Sequence, residues 1–167
     1  MATVYLGLGT NLGDKPANLQ FALDSISGQQ IGTISSLSPV YQSEAWGYTS
    51  DNSFLNMVVC AETKLTPEAL LNACQTIEKA AGRETKNGQD YADRVLDLDI
   101  LYYDKLVLHQ NKLSIPHPLI AERKFVLQPL CDIAPFFVDP TLGSTITDML
   151  MACTDKARIQ KIELKLR

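Results

Sequence analysis

The 167-residue sequence contains no apolar run near the roughly 18 residues that a membrane-spanning helix needs. Its first residues form a short strand-like pattern without a basic segment or a cleavage signal, so we expect no targeting segment and a cytoplasmic location. Basic residues are also few, 15 against 19 acidic ones, and the net charge of −4 argues against broad binding to nucleic acid. Any recognition of phosphate must therefore be local.

Cysteine is scarce as well. The four cysteines are widely spaced and form no Cys-x-x-Cys pair, which argues against a zinc site and against a disulfide framework. We expect Cys60, Cys74, Cys131 and Cys153 to be reduced, small hydrophobic residues of the core. The glycine-rich segment 7–13 lacks both the G-x-G-x-x-G spacing and a Gly-Lys-Ser/Thr ending, so neither a dinucleotide-binding fold nor a P-loop is predicted.

The periodicity of the hydrophobic residues predicts the element order β, α, β, β, α, β. Asp14 marks the start of the first helix, and Thr66 and Gly82 mark the start and the end of the second. The second, third and fourth strands are predicted within 31–43, with an interruption near Pro39, within 54–63 and within 94–103. This order is that of the ferredoxin-like α+β sandwich, a mainly antiparallel sheet with helices on one face.

We predict one domain over residues 1–167. Beyond the ferredoxin-like core, short helices are expected at 123–130 and 145–151. The alternating pattern at 162–167 fits an edge strand or a segment that pairs with a partner, and it fits a frayed tail equally well. Residues 84–93 have no apolar period and are predicted to form a mobile loop directly before the last core strand.

Asp97 and Asp99 stand two apart in an apolar, β-prone segment. Side chains alternate along a strand, so both carboxylates lie on one face. Two like charges flanked by apolar residues repel each other and resist burial, so we expect a cation beside them. Mg2+ is the natural candidate, since it binds one or two carboxylates plus substrate phosphates. From the pair alone, two solvated carboxylates on an exposed strand face remain an equal alternative.

The second predicted helix carries a polar stripe beside its core face. Gln75 and Glu78 lie about one turn apart and point together toward the edge of the sheet. Arg83 follows this helix and Arg94 precedes the aspartate pair, so two guanidinium groups flank the predicted loop. For Glu78 alone, the alternative is a solvated carboxylate or a surface ion pair.

His117 lies between two prolines, whose rings restrict the backbone on both sides and fix the direction of the imidazole. His109 lacks such a setting and is expected to be a surface residue. With Lys112, Ser114 and Arg123 nearby, the His117 segment is typical of a phosphate-recognition strip. A histidine with a purely structural role is the alternative.

A flat ligand is predicted to lie beside the first strand, where Gly9 leaves room for it. Phe54 and Asn56 share one face of the 54–63 strand, where a ring can stack on the ligand and an amide can bind its donor and acceptor edge. Each residue alone also fits a structural role, Phe54 in the core and Asn56 as a cap at the strand end.

In this order and spacing, the motifs resemble the 6-hydroxymethyl-7,8-dihydropterin pyrophosphokinase family of the folate pathway. The resemblance covers about residues 2–135, and Arg-x-Leu-Asp-Leu-Asp-Ile at 94–100 is its most specific part. The other motifs are Tyr-Leu-Gly-Leu-Gly-Thr-Asn-Leu-Gly at 5–13, Ser-Pro-Val-Tyr at 38–41, Phe-Leu-Asn at 54–56, Gln-x-Ile-Glu with Gly-Arg at 75–83, Pro-His-Pro at 116–118, and Arg-x-Phe-Val-Leu-x-Pro-Leu at 123–130.

The resemblance implies transfer of the β,γ-diphosphate of ATP to the pterin hydroxymethyl group, with release of AMP. It implies that Asp97 and Asp99 hold two Mg2+ ions, that Asp99 is a candidate acceptor of the hydroxyl proton, and that Arg83 and Arg94 act on the diphosphate. The positions implied to bind ATP are Gln75, Glu78, Ile100, Lys112, Ser114, His117 and Arg123. Those implied to surround the pterin are Gly9, Ser43, Trp46, Phe54, Asn56, Tyr91 and Phe125.

The sequence departs from the family pattern in the loop before the aspartate pair. Many relatives carry Trp-Gly-Pro-Arg there, whereas this sequence has Tyr-Ala-Asp-Arg at 91–94. Thr85 stands where relatives carry a second arginine, and Lys86 is the candidate to supply that charge.

We expect a monomer and leave a dimer open. Two other functions are kept as alternatives, a ferredoxin-like module that binds a small ligand without chemistry, and a metal-dependent nucleotidyltransferase that releases diphosphate.

Overall fold

The computed structural model describes residues 1–82 and 93–166. Its strands are β1 (Ala2–Thr10), β2 (Gly32–Leu37), β3 (Val40–Ser43), β4 (Phe54–Thr63), β5 (Asp97–Tyr103), β6 (Leu108–His109), β7 (Ser114–Ile115) and β8 (Ile159–Ile162). Its α-helices are α1 (Lys15–Ser25), α2 (Pro67–Ala80), α3 (Lys124–Ile133) and α4 (Ile146–Ala152). A π-helix at Ile26–Gln30 extends α1, and a 3-10 helix covers Ile120–Glu122.

The main sheet has the strand order β5-β1-β4-β3-β8, and β2 also pairs with β4. Every pair in the described part of this sheet is antiparallel. If β2 and β3 are counted as one interrupted strand, the core order is that of a ferredoxin-like sandwich, which confirms the predicted fold class. A separate hairpin joins β6 and β7.

The interruption predicted near Pro39 separates β2 from β3. Proline has no backbone N–H for the ladder. Ser38 compensates, because its backbone N–H donates to the Val58 carbonyl at 2.9 Å while its Oγ accepts from the Val58 N–H at 2.8 Å. The chain therefore bends without leaving Val58 unpaired, and β3 continues along β4 toward Ser43.

Both core helices begin where the sequence predicts, and α2 also ends there. The Asp14 carboxylate accepts from the Ala17 N–H at 3.1 Å, and the Thr66 hydroxyl accepts from the Ala69 N–H at 3.2 Å. Gly82, directly after α2, has a φ of +103°, a conformation that glycine adopts without steric cost.

Hydrophobic side chains cover both faces of the sheet. On one face, Leu6 and Leu8 of β1 and Met57 and Val59 of β4 pack with α1 and α2. On the other, Val58 packs with α3 and α4. The expectation of helices on one face therefore holds for the ferredoxin-like core, whereas the C-terminal helices cover the opposite face.

The C-terminal part differs from the sequence prediction in its bounds. α3 continues to Ile133 with Pro129 inside it, and β8 lies at Ile159–Ile162 rather than within 162–167. β8 pairs with β3, so an edge strand is present, but it shares only Ile162 with the predicted segment, and residues 163–166 form no strand. None of the helices in residues 1–82 and 93–166 is long and apolar enough to cross a membrane.

Candidate active site

A cavity of about 320 Å³ opens where the ends of β1, β4 and β5 meet the segments that follow β3 and precede α3. Its walls also include side chains of α2. The residues that line it are Gly7, Leu8, Gly9, Ser43, Glu44, Trp46, Tyr48, Phe54, Asn56, Met57, Val58, Leu71, Gln75, Glu78, Arg94, Asp97, Leu98, Asp99, Leu101, His117, Arg123, Phe125 and Val126. Most of the residues predicted for a site are therefore brought together in one place.

Two glycines of β1 form part of the cavity wall. Gly7 lies opposite Asp99 and Gly9 lies opposite Asp97 in the β1–β5 register. An added Cβ at Gly7 would lie 3.4 Å from the Leu101 side chain, and one at Gly9 would lie 3.1 Å from the Asn56 Oδ1. Glycine at these two positions therefore lets Leu101 and Asn56 approach β1 closely at the cavity wall.

Asp97 and Asp99 lie on the cavity face of β5, as their alternation predicts, and both are half-buried. The Arg94 Nη1 lies 3.4 Å from the Asp97 Oδ1. Within residues 1–82 and 93–166, no group of three or more His, Cys, Asp or Glu side chains could hold a metal ion. Two carboxylates nevertheless fit Mg2+, because this hard cation takes its other oxygens from water and substrate phosphates.

Glu78 is 6% exposed, and its Oε2 accepts the Leu98 N–H of β5 at 2.9 Å. The solvated alternative for this residue is therefore wrong. Gln75 lies one turn earlier on α2, is exposed, and also lines the cavity. The predicted polar stripe thus reaches the cavity at the β5 edge of the sheet.

His117 is held at both its backbone and its ring. Its backbone N–H donates to the Leu101 carbonyl at 3.0 Å, and its Nδ1 accepts the Leu119 N–H at 3.1 Å. Burial, aided by the Arg123 charge and opposed by Asp97, lowers the pKa of His117 to about 4. The imidazole is therefore neutral at pH 7, with its proton on Nε2, which can donate to a ligand.

The Arg123 guanidinium packs against two aromatic rings of the cavity wall. Its guanidinium carbon lies 4.7 Å from the ring centre of Trp46 and 5.6 Å from that of Phe125. In the described part of the chain, its Nε is a buried donor without a hydrogen-bond partner. A buried donor of this kind is costly unless an acceptor binds to it, so this position suits an anionic ligand.

The predicted ring-and-amide pocket lies at the other end of the cavity. Asn56 is 5% exposed, and its Nδ2 donates to the Ser43 Oγ at 2.6 Å. This bond orients the amide with Oδ1 toward Gly9, where an added Cβ would lie 3.1 Å from that oxygen. With Phe54 beside it, the pocket provides a flat apolar surface and a fixed polar group.

Some predicted residues do not line the cavity. The Ile100 side chain is buried in the core on the α1 and α2 face, because alternation turns it away from Asp99. Lys112 is exposed between β6 and β7, and Ser114 begins β7 three residues before His117. Arg83 and Tyr91 lie outside the described residues, as does the predicted loop up to residue 92.

Two residues in and beside the cavity were not predicted from the sequence. Tyr48 lines its wall, and Asp93 accepts hydrogen bonds from Tyr48, Ser50 and Asn52. These three donors alternate along the chain, which is the signal that could have indicated a common partner. That the partner is Asp93, more than forty residues away, required the structure.

The family model described as 7,8-dihydro-6-hydroxymethylpterin-pyrophosphokinase (HPPK) matches residues 5–135. The 2-amino-4-hydroxy-6-hydroxymethyldihydropteridine pyrophosphokinase of Methylorubrum extorquens is 36% identical over 163 residues, which cover 98% of this chain and all of the relative. The enzyme of the same name from Porphyromonas gingivalis is 42% identical over 138 residues, covering 81% of this chain and 93% of the relative.

Solved structures agree on the fold. The wild-type HPPK-DHPS of Plasmodium falciparum superposes with a TM-score of 0.73 at 16% identity, over 90% of this chain and 44% of that one. This chain thus spans less than half of that longer protein. The match over residues 5–135, together with a relative 36% identical along its whole length, shows that the chain belongs to the 7,8-dihydro-6-hydroxymethylpterin-pyrophosphokinase family.

Proposed function

We propose that this protein transfers the β,γ-diphosphate of ATP to the hydroxymethyl group of 6-hydroxymethyl-7,8-dihydropterin, in folate biosynthesis. The observation that carries the proposal is one cavity with two chemically different ends. Asp97, Asp99 and the neutral His117 line one end, and Phe54 and Asn56 line the other. A polyphosphate fits the first end and a flat heterocycle fits the second.

Asp97 and Asp99 are the residues that would hold Mg2+. Two such ions, when bound, supply positive charge that neutralises the phosphate oxygens of ATP during transfer. Arg94, which contacts Asp97, adds a fixed positive charge on the same side. We assign Arg83 a similar role from the family resemblance alone.

The nucleotide end would bind ATP through donors that the fold already orients. The His117 Nε2–H and the Arg123 Nε are available to phosphate oxygens. Gln75 and Glu78 would contact the rest of the nucleotide, together with the Ile100 backbone and, farther along the surface, Lys112 and Ser114. Catalysis of this kind depends mostly on alignment, so the rigid mounting of His117 is directly useful.

The pterin would stack between Phe54 and Phe125, with Asn56 binding its polar edge and Ser43, Trp46 and the Gly9 backbone around it. In the reaction, the hydroxymethyl oxygen forms a bond to the β-phosphorus, and the bond between that phosphorus and the oxygen shared with the α-phosphate breaks, so AMP leaves. Asp99 would accept the hydroxyl proton.

The product of the reaction tests the proposal. With ATP, Mg2+ and the hydroxymethyl pterin, 31P NMR is expected to show AMP and a pterin diphosphate in equal amounts. ADP as the product would contradict a pyrophosphokinase, and inorganic diphosphate would favour the nucleotidyltransferase alternative. Binding without any turnover would favour the ligand-binding module.

Variants of the carboxylates test the metal role. Asp97→Asn and Asp99→Asn are each expected to lower kcat by about a thousandfold or more, since a lost charge-stabilising group costs several kcal/mol. Asp148→Asn, at an exposed position of α4, is the control and should retain activity. Full activity of both site variants, or full activity in EDTA, would contradict the assignment of the metal role.

Sedimentation velocity would test the expectation that the protein is a monomer.

A further inference from the structure

Asp93 accepts four side-chain hydrogen bonds immediately before β5. Its Oδ1 accepts from the Ser50 hydroxyl at 2.7 Å, the Asn11 amide at 2.8 Å and the Tyr48 hydroxyl at 2.9 Å. Its Oδ2 accepts from the Asn52 amide at 3.1 Å. Hydrogen bonds to a charged acceptor are the stronger ones in proteins, so this carboxylate is a firm anchor.

Asn11 extends the contact to the end of β1. Its backbone N–H donates to the Arg94 carbonyl at 2.9 Å, and its Oδ1 accepts the Arg94 N–H at 2.6 Å. Asn11 is only 2% exposed. Three stretches of chain therefore converge on Asp93: the end of β1, segment 48–52, and the entry to β5.

Segment 44–53 joins β3 to β4 and contains no helix or strand. It nevertheless carries Trp46 and Tyr48, which line the cavity at its pterin end. A segment without a backbone ladder depends on side-chain contacts for a fixed position. Three of the four donors to Asp93 belong to this segment.

We propose that Asp93 is a positioning residue, whose carboxylate fixes segment 44–53 against the entry to β5 and so holds Trp46 and Tyr48 in the cavity wall. Arg94 follows Asp93 and contacts Asp97, so the same junction aligns the pterin wall with the metal-binding carboxylates. The consequence for pterin binding rests on the proposed function, whereas the placement of segment 44–53 does not.

The hydrogen bonds affect the protonation of both partners. The Ser50 hydroxyl, followed by the Asn11, Tyr48 and Asn52 donors, lowers the pKa of Asp93 below its usual value against partial desolvation. Burial, with the bond to Asp93, raises the pKa of Tyr48 to about 12. Asp93 is therefore ionised and Tyr48 protonated across the neutral range, as the contact requires.

Trp46 is the only tryptophan of the chain, so its fluorescence reports directly on this segment. In the ligand-free protein, Asp93→Ala is expected to raise the acrylamide quenching constant about twofold, because the segment loses its anchor. Asp93→Asn keeps an oxygen acceptor for the three Oδ1 contacts and should stay near the wild type. Asp51→Ala removes an exposed carboxylate from the same segment and is the matched control.

Kinetics separate positioning from general destabilisation. For Asp93→Ala we expect KM for the pterin to rise about tenfold, equivalent to roughly one charged hydrogen bond, with KM for ATP changed less than twofold. Asp93→Asn should restore most of the pterin affinity. Unchanged quenching in Asp93→Ala, or a loss of kcat and stability with quenching and pterin KM unchanged, would overturn the proposal.

If Asp93→Ala fails to fold, Ser50→Ala and Asn52→Ala give a second test, because each removes one donor to Asp93 and leaves the carboxylate in place. Each variant is expected to raise the quenching constant above that of Asp51→Ala, and the double variant to raise it further. Quenching constants equal to that of Asp51→Ala in all three would overturn the proposal. A wild-type chain that forms no AMP would contradict the proposed function but would leave the quenching comparison valid.

Discussion

Gly9 occupies the point of β1 that separates the two ends of the cavity. In the sheet register, Asn56 of β4 lies opposite it on one side and Asp97 of β5 on the other. In the proposed function, a pterin-binding amide and a metal-binding carboxylate would therefore lie on the two strands that flank a residue without a side chain. The two substrates would then meet beside Gly9.

Gly9→Ala is expected to lower kcat/KM for the pterin about tenfold, because the new Cβ would lie 3.1 Å from the Asn56 Oδ1 and must displace the amide. KM for ATP should change little. Steady-state kinetics with each substrate varied in turn measures both values. Gly28→Ala, where an added Cβ meets nothing within 4 Å, is the control. Equal kinetics for the two variants would contradict this explanation.

At single positions, sequence reasoning succeeded where alternation or rigid chemistry decides the outcome. Asp97 and Asp99 share a face because strand side chains alternate, and the same alternation turns Ile100 into the core. The direction of the His117 imidazole is fixed, as its flanking prolines predict, and its Nδ1 accepts the Leu119 N–H. Asp93 was not foreseen as an anchor, because its partners are close only after folding.

Among the elements, β5 depends on α2 for support at the edge of the sheet. It lies at one edge of the sheet, whose strand order is β5-β1-β4-β3-β8. Its Leu98 N–H donates to the Glu78 carboxylate rather than to another strand. A buried helix side chain thus replaces one ladder contact of an edge strand, on the residue that separates the two aspartates. The position of those carboxylates therefore depends on α2.

Glu78→Ala should lower the free energy of unfolding by about 1–3 kcal/mol, because the buried Leu98 N–H loses its acceptor. Glu78→Gln keeps a carbonyl oxygen at that place and is expected to lose less. Urea denaturation measures the free energy of unfolding of the wild type and of each variant. Gln75→Ala, exposed on the same stripe, should stay within about 0.5 kcal/mol of the wild type. A loss for Gln75→Ala as large as that for Glu78→Ala would rule out the explanation.

The elements that the sequence predicts well are those with local signals. Asp14 and Thr66 cap their helices, and Pro39 breaks the second strand, all through contacts within a few residues. The elements that it predicts less well depend on distant partners. β8 exists because β3 offers an edge, and α3 continues past Pro129 because its apolar residues pack on the sheet.

For the whole molecule, the site lies between two hydrophobic cores. Leu98 belongs to the core of α1 and α2, whereas Leu101 and Val126 belong to that of α3 and α4, and all three line the cavity. His117 donates to the Leu101 carbonyl at this boundary, where it is kept neutral. Its protonation is therefore linked to the stability of the entire fold.

The pKa of His117 is lowered to about 4 from its usual 6.5, so between these values the unfolded chain binds a proton that the folded chain does not. Stability should therefore fall as the pH drops through this window. From pH 7 to pH 5 the wild type should lose about 1–2 kcal/mol more than His117→Gln.

Urea unfolding at several pH values measures this difference. The control is His109→Gln, which removes an exposed histidine and should follow the wild type. If His117→Gln showed the same pH dependence as the wild type, the imidazole would not be buried in the neutral form.

The contact between Glu78 and β5 also affects how copies of this protein meet one another. Exposed N–H groups at a sheet edge allow strands of two molecules to pair, which is a common route to aggregation. In this chain one such group, on Leu98, is bound within the molecule, and Asp97 and Asp99 add negative charge to the same strand. Glu78, Asp97 and Asp99, which contact ATP or its metal ions in the proposed function, would thus also oppose edge-to-edge association through β5.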